Sequence, residues 1–494
     1  MKPAEYVRNC RSRQHGSVLV FCLAMLILLS LSIGYSFNVN KVSAEKTRLQ
    51  NTADAAAYSV ASVEARDLNF KSYTNRAMVA NQVALAQSIS LVSWARFVDR
   101  FVENISYIMS AVPPLRVFFS GISKGVSAGM KIFEQSLGIA ITTINLLESS
   151  LSGAQKIHHF GTIAMAKEIL NTVVKKNDSA VDQSLTISNS LMMSAYIKDH
   201  ETFTKRYSPL KVTKTNKSWG ASGNFYEHKE RMDEFREVTL DSRDSFSTNR
   251  TYNWLDETWV WWDIKAKVRK TGGSELTGNS RSLDNLGDYY TWSAMDTMSM
   301  HFKVWSYGFN GWGWSSWMEA LPLGWGASAT GGEKKLYFDK GLGGRYRYGS
   351  SYRINSAAAS LAGWEYLKKG VTGRFNGLRA FYDIKQKGLV SEAPGIAVLL
   401  LKPHGASAVK TVKHTTFGAG SSELDIEAEG GLLKNRLSAL SQAVPYFSRP
   451  NDVSVFRRSD KLREYGNLYN PFWQPRLSEV SNGKKLIALA ATAM

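Results

Sequence analysis

The sequence predicts an α+β protein in which a single N-terminal transmembrane helix continues into a long helix and a helical hairpin region, followed by a β-rich aromatic outer domain. Three observations predict it. Residues 17–37 are uncharged and mostly apolar; residues 38–111 contain neither glycine nor proline; beyond Thr202 the texture turns to aromatic, glycine-rich and alternating segments. The implied divisions are a basic flank over 1–16, the span over 17–37, an exported helical region over 38–200, a Trp- and Gly-rich β domain over 201–430, and a helical and extended segment over 431–494.

Composition narrows the class of protein. At 494 residues the chain suggests two or three folded units beside the span, and 44% apolar with 21% charged residues is ordinary for a packed body, which excludes wholesale disorder. The net charge of +19 is spread out, with +3 in residues 1–37, +4 in 38–200 and +12 beyond. No run of five or six basic residues occurs, so the excess reads as a solvated basic surface and a nucleic-acid partner is not expected. Cys10 and Cys22 are the only cysteines, so no disulfide framework staples the body. Lipidation of Cys22 is not expected, because Phe21 precedes it and the apolar run continues past it.

The span comes first. Ser17 to Phe37 provides 21 uncharged residues, close to the ~20 that cross a hydrocarbon core of about 30 Å. Ser17, Leu19, Phe21, Leu23, Leu26, Leu29 and Ile33 are the expected membrane anchor. Ser32, Gly34 and Ser36 offer only a weak small-x-small cleavage pattern, which favours an anchor over a removable signal. Arg8, Arg11 and Arg13 form the topology flank, holding the N-terminus in the cytoplasm and sending the body across.

The helical region follows. Leu49, Ala53, Ala56, Ala57, Val60 and Val63 recur at three-and-four spacing and make a narrow small-residue face. Its partner is either the next helix of the same chain or the equivalent helix of a second subunit, which would give a homo-oligomer. Pro113 and Pro114 stop the helix, since proline lacks the amide donor and restricts the residue before it. Residues 115–150 then read as an amphipathic or core helix and 155–200 as a third.

The outer part reads as strands: FREVTL at 235–240, WVWWDIKAKVRK at 259–270, MHFKVWSYGF at 300–309, KLYFDKG at 335–341, YRYGSSYRI at 346–354 and GIAVLLLK at 395–402. TGGSE, GWGWSS, TGGE and GLGG read as the turns between them. Residues 357–369 and 432–444 return to helical composition.

Two stretches carry a resemblance. Arg13-Gln14-His15-Gly16-Ser17 before the span and Arg48-Leu49-Gln50-Asn51-Thr52-Ala53-Asp54-Ala55-Ala56-Ala57 after it closely resemble the N-terminal region of Tad (tight-adherence, Flp) pilus-assembly proteins of the TadG-like type. AVPYFSRP at 443–450 and EYGNLYNPFWQPRLS at 464–478 are similar to a segment of longer members. The resemblance implies a single-pass protein of the bacterial inner membrane with a periplasmic body, acting in assembly or anchoring of an adhesive pilus or a related secretion apparatus. Its implied partners are inner-membrane lipid and other pilus-assembly or envelope proteins. Arg48, Leu49, Gln50, Asn51, Ala53, Asp54 and Ala57 are the implied helix-packing motif. Two family features are missing. The nearest approach to a D-x-S-x-S metal motif, Asp182-Gln183-Ser184-Leu185-Thr186, follows no apolar strand and ends in threonine; Phe21 stands where a processed pilin carries glutamate.

Catalytic signatures are not found. None of the eight histidines (15, 158, 159, 200, 228, 301, 404, 414) has a second ligand at zinc spacing, and adjacent His158 and His159 read as packing residues. Neither a G-x-S-x-G elbow nor a P-loop occurs, and Gly341-Leu342-Gly343-Gly344 reads as a turn. The pairs Asp425 with Glu427 and Asp241 with Asp244 are of a kind common in any long chain. No enzyme activity, metal or cofactor is therefore expected. The remaining candidate is a run of tryptophans: 254, 259, 261, 262, 305, 312, 314, 317 and 325. Trp312, Trp314 and Trp317 are the expected interface or glycan contact, because a flat apolar ring in a glycine-rich loop is hard to bury. A membrane-tethered glycan- or surface-binding module is the alternative function.

Overall fold

The computed structural model describes residues 15–109, 113–181, 186–208, 234–277, 291–308, 311–330, 353–369, 375, 377–385, 388–403, 415–417, 420–422, 436–450, 453, 455–460 and 462–493. Helix α1 runs unbroken from His15–Met109, α2 covers Pro113–Asn177 and α3 Thr186–Phe203. Strand β1 (Thr204–Tyr207), α4 (234–241) and the single turn α5 (Ser245–Thr248) follow. Then come β2 (Tyr252–Trp261), β3 (Ile264–Thr277), β4 (Thr291–Gly308), β5 (Gly311–Trp314), β6 (Met318–Ala329) and α6 (Ser356–Lys369). The chain continues through β7 (Phe381–Ile384), β8 (Ile396–Pro403), β9 (Thr415–Phe417), β10 (Gly420–Ser422), β11 (Arg436–Phe447), β12 (Trp473–Ser478) and α7 (Asn482–Ala493). The class is α+β.

The larger sheet is antiparallel, ordered β2-β3-β4, with β6 and β5 taking successive parts of the far edge of β4. A second antiparallel sheet has the order β12-β11-β8, and β1 pairs with β7. Both larger sheets pack on α1, so helices and strands share cores. Leu49, Ala53, Ala56, Ala57 and Val60 of α1 meet Ala166, Leu170 and Val174 of α2 together with Ile396, Val398, Leu400, Ala439 and Ala443 of the β11 sheet. Further along, Leu85, Ala86 and Ile89 pack with Ile141 of α2 and with Leu276, Trp292 and Ala294 of the β4 sheet. On the other face of that sheet, Ala359, Ala362 and Tyr366 of α6 cover Met295, Ala327 and Ala329.

Glycine decides how close α1 comes to β6. A Cβ on Gly326 would lie 2.3 Å from the Ser93 carbonyl oxygen and 2.4 Å from the Phe97 amide nitrogen. Backbone therefore touches backbone, and only a residue without a side chain fits.

Several expectations are corrected. The separate third helix over 155–200 does not exist: residues up to Asn177 belong to α2, whose glycines leave the helix unbroken, and the rest starts again as α3. Residues 235–240 are helical, with Phe235 and Leu240 buried on one side. TGGSE lies inside β3, where the bare face of Gly272 makes room for the Asp296 carboxylate. GWGW is not a loop but the edge strand β5. Of residues 432–444, those from Arg436 on lie in β11 rather than a helix, because pairing on both sides, with β12 and β8, outweighs local composition, and 432–435 lie outside the described residues. Residues 353–354 are not strand, and KLYFDKG, residues 346–352, GLGG, the Asp182–Ser184 stretch, Asp425 and Glu427 lie outside the described residues.

Replacing Gly326 by alanine is expected to destabilise the fold by about 2–3 kcal/mol through overpacking against backbone. Gly313→Ala, where an added Cβ meets nothing within 4 Å, is the control. Thermal unfolding of the two variants in detergent, followed by circular dichroism, measures the difference.

Candidate functional site: an anchored helix with a tryptophan tip

The first functional segment is the start of α1. From Val18 to Phe37 its apolar side chains are exposed, apart from half-buried Leu31, and this helix is long and apolar enough to cross a membrane. Leu19, Phe21, Leu23, Leu26, Leu29 and Ile33 project into the surroundings, Ser17 lies on the same helix, and Arg8, Arg11 and Arg13 fall outside the described residues. Water would penalise such a surface at roughly 25 cal/mol per Å², so lipid is its natural solvent.

Immediately beyond, the RLQNTADAAA segment switches from exposed to buried. Leu49, Ala53 and Ala57 face α2 and the β11 sheet. Gln50 donates to Asp54 (2.9 Å) and to the Leu440 carbonyl (3.4 Å), and Arg48 donates to the Asn177 carbonyl that ends α2 (3.2 Å). Asn51 stays exposed. The small-residue face is thus filled by the chain's own elements, the first of the two expected alternatives, with the β11 sheet added to the helix that was expected.

Residues 16–63 match the Tad family, Flp pilus-assembly TadE/G-like. No curated protein and no solved structure matches the chain. The Tad segment therefore comprises the apolar span together with the stretch of α1 that docks the folded body, and it fits a pilus-related, membrane-anchored protein.

Past the Tad segment, α1 carries a row of polar side chains, each joined to another element. Asn69 exchanges two hydrogen bonds with the Trp473 backbone, and Asn75 donates to the Tyr382 and Leu468 carbonyls. Gln82 donates to both Glu148 oxygens at 2.8 Å and accepts from the Trp292 indole at 2.7 Å. Ser93 donates to Asp296, Arg96 to the Ala327 carbonyl and Glu134, and Asn104 to the Leu323 carbonyl. Buried Asp296 also receives Arg250 and Lys270; burial alone would raise its pKa, but these two cations hold it down at about 2. Burial raises Glu148 to about 8, against the opposing influence of Gln82 and Arg379.

The second functional segment is the far end of the β4 sheet. Gly324 abuts Phe97 and Phe101, the Phe101 ring meets Trp254 edge-on at 5.4 Å, and the strands continue past this point. Phe101 follows Phe37 by 64 residues, which is about 95 Å along a helix. Cross-strand pairing then gathers the tryptophans. Trp259 lies opposite Lys265, Lys265 opposite Lys303, Trp305 opposite Trp314, and Tyr307 opposite Trp312. Trp314 is central, with its ring edge-on to Trp259 and to Trp305 at 5.4 Å each. Three ammonium groups sit over the rings: Lys265 over Trp259 (4.3 Å) and Trp314 (4.8 Å), Lys303 over Trp317 (4.8 Å), and Lys267 over Trp317 (3.7 Å). Glu257 receives Lys265 and Lys303 at 2.8 and 2.7 Å.

Of the three expected contact residues, Trp312 is open to solvent (66% exposed), whereas Trp314 and Trp317 are half-buried beneath cations. The structure adds Trp261 and the more exposed Trp262 (77%) from the β2-β3 turn. Trp325 belongs elsewhere, donating to Glu365 of α6. Lys265, Lys267 and Lys303 were missed as site residues, although their period-two spacing beside the tryptophans would have shown them sharing a face. Asp241 and Asp244 do not converge on a cleft as an acid-base pair: Asp241 ends α4, and Asp244 caps α5 by accepting from the Ser247 amide.

Two measurements follow. Trp312→Ala is expected to change stability by less than about 0.5 kcal/mol, and Trp314→Ala to cost about 1–2 kcal/mol through lost ring and cation contacts, read from unfolding midpoints. Glu148, raised from 4.5 to about 8, holds its proton only in the folded state across that interval. Stability should therefore fall as pH rises through it, by on the order of 4 kcal/mol, and Glu148→Gln should flatten this slope in melts recorded across the range.

Proposed function

We propose that this chain is a non-enzymatic, single-pass protein of the bacterial inner membrane, N-terminus cytoplasmic and body periplasmic, that serves in assembly or anchoring of a Tad-like pilus or a related secretion apparatus. The observation that supports it is the continuity of α1: one helix carries the apolar span, the Tad segment and the contacts to both large sheets. A rigid element of this length fixes the distance between the lipid and the tryptophan tip. Charged pairs such as Asp296 with Lys270 and Arg250 sit inside the body as packing centres, which suits a scaffold better than a catalyst.

In this reading the span sets position, the Tad segment fastens the body to it, and the tip contacts other envelope or pilus components. The exposed rings with adjacent ammonium groups also favour a second reading, a membrane-tethered module that stacks on glycans or an anionic surface.

Deletion of the gene is expected to abolish surface pili and adhesion, with restoration by the intact chain but not by one whose residues 17–37 are replaced by a cleavable signal. Unchanged piliation in a strain that makes pili would count against the assembly role. Glycan-array binding that disappears in Trp261→Ala/Trp312→Ala would support the second reading, and a silent array would remove it.

A further inference from the structure

Where α1, α2 and α3 meet, chemistry collects that neither the span nor the tip uses. Glu64 and Asp67 lie one turn apart on α1, His158 and His159 come from α2, and Tyr196 and His200 come from α3. Glu64, Asp67 and His200 are fully buried, and His159 nearly so. The Lys71 ammonium lies 2.5 Å from Asp67 Oδ2 and 2.9 Å from His159 Nδ1, while Glu64 is reached only at longer range by the Lys71 and Lys484 charges. The hydrogen-bond accounting does not close. The Tyr196 hydroxyl faces the Glu64 carboxylate, but both His200 nitrogens are buried without a hydrogen-bond partner, although Glu64 Oε1 and His200 Nε2 are only 3.6 Å apart. Orphaned buried groups of this kind each cost about 1–3 kcal/mol unless something satisfies them.

The spacing identifies what would satisfy them. Ligand atoms of Asp67, His159 and His200 all lie within 4.8 Å of one another, and His159 Nδ1 is 3.6 Å from Asp67 Oδ2. Tetrahedral zinc, with bonds of about 2.0–2.1 Å, sets its ligand atoms about 3.4 Å apart. Both observed 3.6 Å pairs are close to that separation. Nitrogen and carboxylate donors suit zinc and its first-row neighbours.

We propose that Asp67, His159 and His200 form a binding site for one divalent transition-metal ion of the zinc class, with Glu64 drawn in from beside His200 as the fourth ligand. Lys71 holds Asp67 and His159 in their ligating positions when the metal is absent. On binding it yields that position and moves along the Tyr382 ring, whose centroid is already 4.8 Å from its ammonium. His158, hydrogen-bonded through Nδ1 to Asp67 Oδ1 at 2.8 Å and partly exposed, orients the carboxylate from outside and marks the side from which an ion arrives. The metal would tie the three helices together directly beyond the Tad segment.

Cobalt(II) reports the site without any assay of function. Adding it to the metal-stripped full chain in detergent is expected to give visible d–d absorption of a four-coordinate centre, saturating at one ion per chain and displaced by zinc. Lys71→Met, which keeps an unbranched side chain one atom shorter and removes the competing charge, is expected to tighten binding at least tenfold. His200→Ala and Glu64→Gln are expected to weaken it at least a hundredfold, with circular dichroism confirming that each remains helical. If neither the unaltered chain nor Lys71→Met develops the band at millimolar cobalt, the proposal is overturned and Lys71 is the cluster's permanent cation.

Discussion

The structure depends on α1 remaining helical while its surroundings change from lipid to protein. A helix satisfies its own backbone, so it can leave a membrane without rearrangement, and only its side chains need to adapt. They do so in sequence: branched and aromatic apolar groups to Phe37, small residues from Leu49 to Ala61, then amides, hydroxyls and ions from Glu64 to Asn104. Each zone specifies a different neighbour. The small residues let α2 and the β11 sheet come close. The polar ones each find a particular carbonyl, carboxylate or indole, and so fix the register of the elements that follow.

This division explains why a body without disulfides holds together around a single rod. Apolar packing is tolerant of sliding, whereas a hydrogen bond from Asn75 to two carbonyls of separate segments is not. Lost buried hydrogen bonds leave their partners unsatisfied, which penalises alternative registers more than it rewards the native one. Asp296 illustrates the point within the sheet, where Lys270, Arg250 and Ser93 converge from β3, the segment after α5, and α1.

Legibility in the sequence followed the range of the interactions. The span and the long helix could be read because lipid and helix propensity act on consecutive residues. The small-residue face was visible as a period, but its occupant was not, since the covering residues Leu170, Val398 and Ala443 are remote in the chain. TGGSE looked like a turn because Gly272 carries no sign of the Asp296 that fills its open side. Residues 436–444 look helical in isolation and are strand because β8 and β12 flank them. The tryptophans announced a cluster by abundance, yet only the pairing of Trp305 with Trp314 shows which rings stack and which face outward. Glu64 and His200 gave no local signal at all, because helices far apart in sequence bring them together.

Strand β4 runs alongside α1 in the same direction, its Trp292 meeting Gln82 and its Asp296 meeting Ser93. A pull on the outermost rings is therefore carried as shear between sheet and rod, distributed over many contacts loaded at once rather than peeled one by one. The apolar end and the sheet are joined by one helix without a break from His15 to Met109, so a load on the rings would reach that end along a single element.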